Sequence, residues 1–489
     1  MDLRGFLEKL REDGQLASIQ SEVDWNLQAG ALCSMSNRIG GPAMQFTRVK
    51  DYPGLTLAGS LFTGPGNIPE RREKPWTRHA LALDLDGGTG YEEFMGELLQ
   101  RTSAPLHPTV VSTGACKDNV LAGKDADILK FPIPFLHEGD GGRYGTCGVV
   151  IVKDPDSTWQ SWGFHRWMVL DGQRLTGPFP PWDGLGIIHQ KNESRGQATP
   201  FAIALGGDPA TVLAAAMVAP PGTDKAALAG GLRQDPIPLV RAETSDLLVP
   251  AEAEMIIEGE VRPGERAEEG PFPQWIGRTP KTSQPVYHIK AITYRHNPIL
   301  PIAAEGSKIS DSLALTSTTL SLALTQGCGA VGLPIRWVNC PVETMMALCV
   351  VSLRKFYDGQ PSRAAKFLFA LPFAQPWFDK VLVLDDDVEA IDWERIMTDW
   401  WQKPNPSKDY HFLAAGNPTM LSAYSNSPAK TDVPATKVWI DATWPKTWEK
   451  TWIPRRVGFE SYPEALQQRV VERWKELGLP GETVVKKSV

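Results

Sequence analysis

From Val120 to about Leu300 the chain runs as short β-branched segments separated by Gly, Pro and Asp: Gly148 to Val152, Met168 to Leu170, Leu239 to Ala242, Met255 to Glu260, and Val286 to Tyr294. Runs of this length and spacing predict an antiparallel sheet or barrel at the centre of the molecule. One helical interruption is expected, from Pro209 to Met217. The flanks read differently. Leu3, Phe6, Leu7 and Leu10 fall at helical spacing with Gly14 as a stop, Leu16 to Val23 reads as a strand, Leu61 to Pro75 as a loop and Tyr91 to Leu99 as a helix. After Ser310 helix and strand alternate: Ser310 and Asp311 can cap a helix running to Thr325, Lys380 to Leu384 is a buried strand, and Leu466, Val470, Trp474 and Leu477 stripe a terminal helix.

A chain of 489 residues exceeds what one core serves. The expected class is therefore α+β multidomain, with an N-terminal α/β unit at 1–115, a central barrel domain at 116–308 and a C-terminal α/β domain with its terminal helix at 309–489. A formal charge of −7 with no basic stretch argues against nucleic acid and anionic membranes as partners. The six cysteines form no Cys-x-x-Cys pair and sit in apolar segments, as reduced buried thiols do. With no leader and no long apolar run, a cytoplasmic protein is expected. The terminal stripe must pack on something, a second subunit being one choice.

Three features invite chemistry. Residues 266 to 277, Arg-Ala-Glu-Glu-Gly-Pro-Phe-Pro-Gln-Trp-Ile-Gly, carry two adjacent carboxylates into a Gly-Pro turn whose backbone must approach something closely. Ser161-Trp-Gly-Phe-His-Arg166 places a guanidinium on a strand of the same β-rich region. Of the 17 tryptophans, Trp162, Trp167, Trp182 and Trp275 lie near these segments and are candidates for stacking on a ligand. Asp385-Asp386-Asp387 reads as capping and solvated charge rather than a metal site. No phosphate loop, His-Glu-x-x-His or Gly-x-Ser-x-Gly occurs.

With these segments stand Asp2-Leu-Arg-Gly-Phe-Leu, Gly41-Pro-Ala-Met-Gln-Phe46, Phe131-Pro-Ile-Pro, His137-Glu-Gly-Asp-Gly-Gly142, Ile256-Ile-Glu-Gly-Glu260, Glu269-Gly-Pro-Phe272, Ile292-Thr-Tyr-Arg295 and Thr436-Lys-Val-Trp-Ile-Asp-Ala-Thr443. In that order, over nearly the whole length, the chain resembles the UbiD family of prenylated-flavin-dependent (de)carboxylases, and most of all its protocatechuate and gallate decarboxylase branch. The resemblance implies a split β-barrel like that of flavin reductases, prenylated FMN as cofactor, a small aromatic carboxylic acid as substrate, dependence on a flavin prenyltransferase, and a homodimer or homohexamer. It implies that Arg166 docks the carboxylate and that Glu269 orients it and relays a proton. The second acid of the family network falls at Gln274, which can hydrogen-bond but cannot release a proton. Glu268 and Glu305 are substitutes; Glu268 should face away from Glu269.

Along the cofactor the resemblance places the backbone of Gly163, Phe164 and His165, and Met217 beside the ring. The family's Asn, His and Glu metal ligands fall at Ser161, Gly184 and Lys225, with His189 left as a local structural histidine. That departure puts the usual manganese and potassium in question. It suggests a metal-independent phosphate pocket built from Lys225 and Lys437, an ammonium standing where the divalent cation would. The competing reading is a non-catalytic flavin-binding or scaffold protein of the same fold.

Overall fold

The structure, a computed structural model, describes residues 1–489 except 72–73, 275–276, 307–308, 375, 415–435, 450, 455–456 and 480–489. Trp275 thus lies outside the described residues.

Six antiparallel strands close into a barrel: β1 (Tyr144–Lys153), β2 (Gln160–Val169), β3 (Arg174–Thr176), β4 (Thr199–Leu205), β5 (Met255–Glu269) and β6 (Thr282–Tyr294). The order around it is β5, β4, β1, β2, β3, β6, and β6 pairs back to β5. Closure removes the free edges that strands this apolar would otherwise expose. Val150, Val152, Trp167, Phe201, Ile203, Ile257, Val261 and Tyr287 belong to one buried cluster. Their alternation with Val149, Ile151, Ala202, Ala204 and Ile256, which belong to another, is the period-2 pattern of strands buried on both faces. Three helices, not one, interrupt the strands: α1 (Gly184–Ser194), Pro209–Ala216 and α2 (Lys225–Arg233). Asp183 and Asp224 cap α1 and α2, accepting from the Gly186 and Ala227 amides, a signal the glycine and alanine content of both segments obscures.

Trp162 and Trp167 are 1% and 0% exposed, so both are core residues rather than stacking platforms; Trp182 is exposed. Room for Trp167 is made by glycine, since a Cβ at Gly145 would lie 2.1 Å from its ring. Gly145→Ala is therefore expected to displace the indole and lower stability by about 1–3 kcal/mol. An unchanged thermal midpoint would show that the ring has slack.

At the N-terminus the helix Leu3–Glu12 is capped by Asp2 and buries Leu3, Phe6, Leu7 and Leu10. The following strand ends at Ile19; Val23 forms only an isolated bridge with Val49. The N-terminal sheet is completed from far along the chain, Ile299–Ile302 running parallel to Thr56–Gly59. That strand leads directly into Ala303, Ala304 and Glu305.

The C-terminal domain opens with α3 (Asp311–Ala330), capped by the Ser310 hydroxyl. Asp311 does not cap it: the side chain turns back to accept from the Phe62 amide at 2.5 Å. A five-stranded sheet follows. Within the acidic triplet Asp385 pairs with Lys403 and Asp387 with Arg395, while Asp392 caps the next helix. Among the described residues no group of three His, Cys, Asp or Glu could hold a metal ion. No described helix is long and apolar enough to cross a membrane. All six cysteines are free and buried. On the terminal helix Glu464–Glu476 and just beyond it, Trp474 and Leu477 remain 37% and 60% exposed.

Candidate active site

Strand β2 carries Arg166 toward the end of β5, where Glu269 is the last residue before the Gly270–Pro271 turn. Their side chains form a two-pronged ion pair: Arg166 Nε donates to Glu269 Oε1 at 2.8 Å and Nη2 to Oε2 at 3.0 Å. The Glu269 side chain is 0% exposed and that of Arg166 17%. Tyr144, which sequence reasoning did not single out, donates its hydroxyl to Glu269 Oε1 at 3.0 Å. Burial, reinforced by the Glu269 charge and hydrogen bond, pushes the Tyr144 phenol well above its ordinary range, so it stays a donor. Phe272 lies 4.5 Å beneath the Arg166 guanidinium and packs on Tyr144 at 4.6 Å. A guanidinium has five N–H donors. Glu269 takes two and Gln274 Oε1 accepts a third from Nη1 at 3.4 Å, so that among the described residues two remain for a carboxylate.

The turn is held from outside by the 137–142 loop. Gly141 donates to the Pro271 carbonyl at 2.8 Å, and a Cβ on Gly141 would lie 2.1 Å from the Gly270 carbonyl oxygen, so only glycine permits the approach. Gly270 itself has φ +99°, in the region that favours glycine. Arg278, on the far arm of the hairpin Phe272–Gln274 and Gly277–Thr279, pairs with Asp140 at 3.3 Å. Glu268 faces solvent and lies 3.4 Å from Lys281, so it takes no part in the Arg166 pair.

A second cluster lies farther back along β2. Alternation turns Ser161, Gly163 and His165 to the face opposite Phe164 and Arg166. The Ser161 hydroxyl is buried against Gly184, whose added Cβ would lie 2.1 Å from Ser161 Oγ. His165 Nε2 is 3.3 Å from Asp183 Oδ2, and burial lowers the imidazole's proton affinity. Lys225, first residue of α2, donates to the Ala215 carbonyl at 2.9 Å. Burial depresses its ammonium to about 8, with Asp183 pulling the other way. Met217 follows the helix Pro209–Ala216 and is buried. Phe164, on the opposite face of the strand, packs against the apolar core that includes Met217. Ser161 and Gly184 thus pack together and Lys225 senses the charge of Asp183 beside them, but the three do not fit a divalent metal: one position lacks a side chain and another is a cation. A hydroxyl and an ammonium do suit a phosphate.

Lys437 stands elsewhere. It is buried in the C-terminal sheet, donating to the Phe378 carbonyl at 3.1 Å with Phe369 and Phe378 rings at 5.2 and 5.9 Å. His189 is buried, with Nδ1 3.1 Å from Thr199 Oγ1, in keeping with a local role.

Comparison with known proteins accounts for this arrangement. The N-terminal, Rift-related and C-terminal domains of 3-octaprenyl-4-hydroxybenzoate carboxy-lyase match residues 7–98, 109–308 and 314–442. Pyrrole-2-carboxylic acid decarboxylase of Pseudomonas aeruginosa is 30% identical over 494 residues, 98% of each chain. The chain belongs to the UbiD family of carboxy-lyases. Vanillic acid decarboxylase of Sedimentibacter hydroxybenzoicus superposes with TM-score 0.83 at 26% identity, covering 98% of this chain and 99% of the other. The UbiD-class enzyme HmfF of Pelotomaculum thermopropionicum, solved with FMN, gives 0.81 at 27%, covering 94% and 97%. The expected family and fold class are therefore met.

Proposed function

We propose that this UbiD-family chain catalyses the reversible, non-oxidative decarboxylation of an aromatic or other unsaturated carboxylic acid with prenylated FMN. The observation that carries the reading is the buried Arg166–Glu269 pair, which fixes a guanidinium whose Nη1 also donates to Gln274. When bound, the prenylated flavin supplies an electron sink for the carbon that loses its carboxylate. Arg166 docks that carboxylate through its Nη1 side, and Phe272 keeps the guanidinium flat and screened from water. Glu269, fixed by Arg166 and Tyr144, sets the guanidinium's orientation and relays a proton. Gln274 offers an amide to the substrate.

Cofactor seating is assigned to Ser161, the backbone of Gly163, Phe164 and His165, Met217 and the Lys225 ammonium; Lys437, held in the C-terminal sheet, takes no part. A protein isolated after co-expression with a flavin prenyltransferase should show the prenylated flavin by absorbance and intact mass. It should release carbon dioxide from at least one of pyrrole-2-carboxylate, 3,4-dihydroxybenzoate, vanillate and ferulate. Protein that binds flavin but neither turns over nor exchanges any of these acids would support a scaffold role instead.

Because an ammonium occupies the position of the metal, the holo-protein is expected to hold flavin with less than stoichiometric manganese; one manganese per flavin would refute the substitution. The sign of the pH dependence follows from Lys225. Its charge is present below about 8 and lost as pH rises through that value, a bound phosphate moving the loss upward. Flavin retention should therefore weaken in alkali, and Lys225→Met should remove that dependence. Equilibrium dialysis across pH measures both.

A further inference from the structure

Glu269 ends a barrel strand, whereas Gln274 lies beyond the Gly270–Pro271 turn on a hairpin whose two strands pair only with each other among the described residues. The barrel ladder therefore fixes Glu269 but not Gln274. The bond from Arg166 Nη1 to Gln274 Oε1, at 3.4 Å, is near the limit for a hydrogen bond, so a small shift of the hairpin breaks it. Something must hold the hairpin in register.

The segment 140–144 meets it at three points. Tyr144 donates to Glu269 Oε1 at 3.0 Å just before the turn, Gly141 donates to the Pro271 carbonyl at 2.8 Å within it, and Asp140 Oδ1 accepts from Arg278 Nη1 at 3.3 Å beyond it. Arg278 stands directly opposite Pro273 in the hairpin ladder, next to the Gln274–Gly277 pair. The same segment lies flat on β2: a Cβ on Gly141 or on Gly142 would be 3.1 Å from the Met168 side chain, and Tyr144 pairs with Met168, two residues from Arg166. One stretch of chain thus touches the strand of Arg166, the turn after Glu269 and the hairpin of Gln274.

Of the three contacts, only the one at Arg278 lies on the hairpin arm itself and uses a side chain from each partner. The Asp140 side chain is 0% exposed, and its Oδ2 accepts the His137 amide at 3.0 Å, so the carboxylate is fixed before Arg278 reaches it. Arg278 Nη2 donates in addition to the Glu138 carbonyl. Two acceptors on one planar fork set both the position and the tilt of the guanidinium, which a single-point ammonium could not do. Gly139, at φ +82°, leaves it room: an added Cβ there would lie 3.0 Å from Arg278 Nη1.

Resting on the proposed decarboxylation, we infer that Arg278 is a positioning residue: anchored on Asp140 and the Glu138 carbonyl, it registers the hairpin so that Gln274 meets Arg166 and the substrate held there. Arg278 itself touches neither member of the Arg166–Glu269 pair.

The test uses holo-protein co-expressed with a flavin prenyltransferase and whichever of the four acids above the wild type turns over. Arg278→Met should keep its flavin absorbance and lower kcat/KM about 10- to 100-fold, the cost of displacing a group by about 1 Å. Coupling separates positioning from a general weakening of the fold. Gln274→Ala should cost the wild type a similar factor, but less than about twofold in Arg278→Met, where Gln274 is already out of place. Arg278→Lys, which can reach Asp140 but not the Glu138 carbonyl as well, should fall between the two. Arg278→Met turnover within about twofold of wild type, or losses that simply multiply in the double variant, would overturn the assignment. If Arg278→Met lost flavin, the same cycle run with Arg278→Lys would decide, multiplication again counting against it. A wild type inert toward every acid would instead sink the functional reading on which this one rests.

Discussion

Glu269→Gln is expected to stop carbon dioxide release while flavin binding survives. The substitution keeps the shape of the side chain and the acceptor for Tyr144, but removes the charge that draws two guanidinium N–H groups into one plane. Arg166 then loses its fixed orientation and the proton relay is broken. General acid–base groups contribute roughly 100- to 10,000-fold, and positioning adds to that. Turnover should therefore fall by at least about 1,000-fold. Retained turnover would remove Glu269 from the mechanism. Loss of flavin along with activity would show a structural role.

Arg166→Met is expected to have the largest effect on stability. It strands a carboxylate that is 0% exposed, leaving the Tyr144 hydroxyl as its remaining hydrogen-bond donor among the described residues. Removing one partner of a buried pair costs about 3–5 kcal/mol. The double variant Arg166→Met with Glu269→Gln should recover much of that loss, because no unpaired charge is then buried. The sign with pH is also fixed. The penalty belongs to the stranded charge, so it is present at neutral pH and shrinks as the pH falls toward the ordinary carboxylate range. Chemical-denaturation midpoints of the two single variants and the double variant at pH 7 and pH 4.5 test this. A gap between wild type and Arg166→Met that does not narrow in acid would mean the pair is not what the substitution breaks.

Much of this architecture is legible in the amino-acid order, because each layer uses a period the chain displays openly. Leu3, Phe6, Leu7 and Leu10 mark the first helix as an amphipathic stripe, and the β-branched runs between Gly148 and Tyr294 are barrel strands except Leu239–Ala242, which pairs instead with Leu248–Pro250 and Thr109–Val110 in a separate small sheet. What escapes is what sequence distance hides. Helix α1 contains Gly184 and Gly186, and α2 contains Gly230 and Gly231, so both read as loop, yet side-chain caps at Asp183 and Asp224 start them. The strand Ile299–Ile302 completes a sheet begun more than two hundred residues earlier, a pairing no local pattern announces. The same holds in the site. Arg166 and Glu269 are recognisable from their motifs. Tyr144 is not, because a tyrosine at the start of an apolar strand looks like any core aromatic until its hydroxyl is seen on Glu269. Glu268 and Glu269 are separable in advance, since neighbouring strand residues face opposite ways. Glu305 could not be placed from sequence at all; it follows the crossing of Ile299–Ile302 into the N-terminal sheet and is buried there against Ser310 and Ser312.

Exchange of labelled bicarbonate into the carboxyl group of a substrate acid reads the making and breaking of the carbon–carbon bond in either direction, apart from net turnover. Holo-protein carrying prenylated flavin should incorporate label, and Glu269→Gln with the same flavin content should not. Equal incorporation by both proteins, or none by a wild type fully loaded with cofactor, would contradict the claim that the Arg166–Glu269 pair is the centre of a decarboxylase.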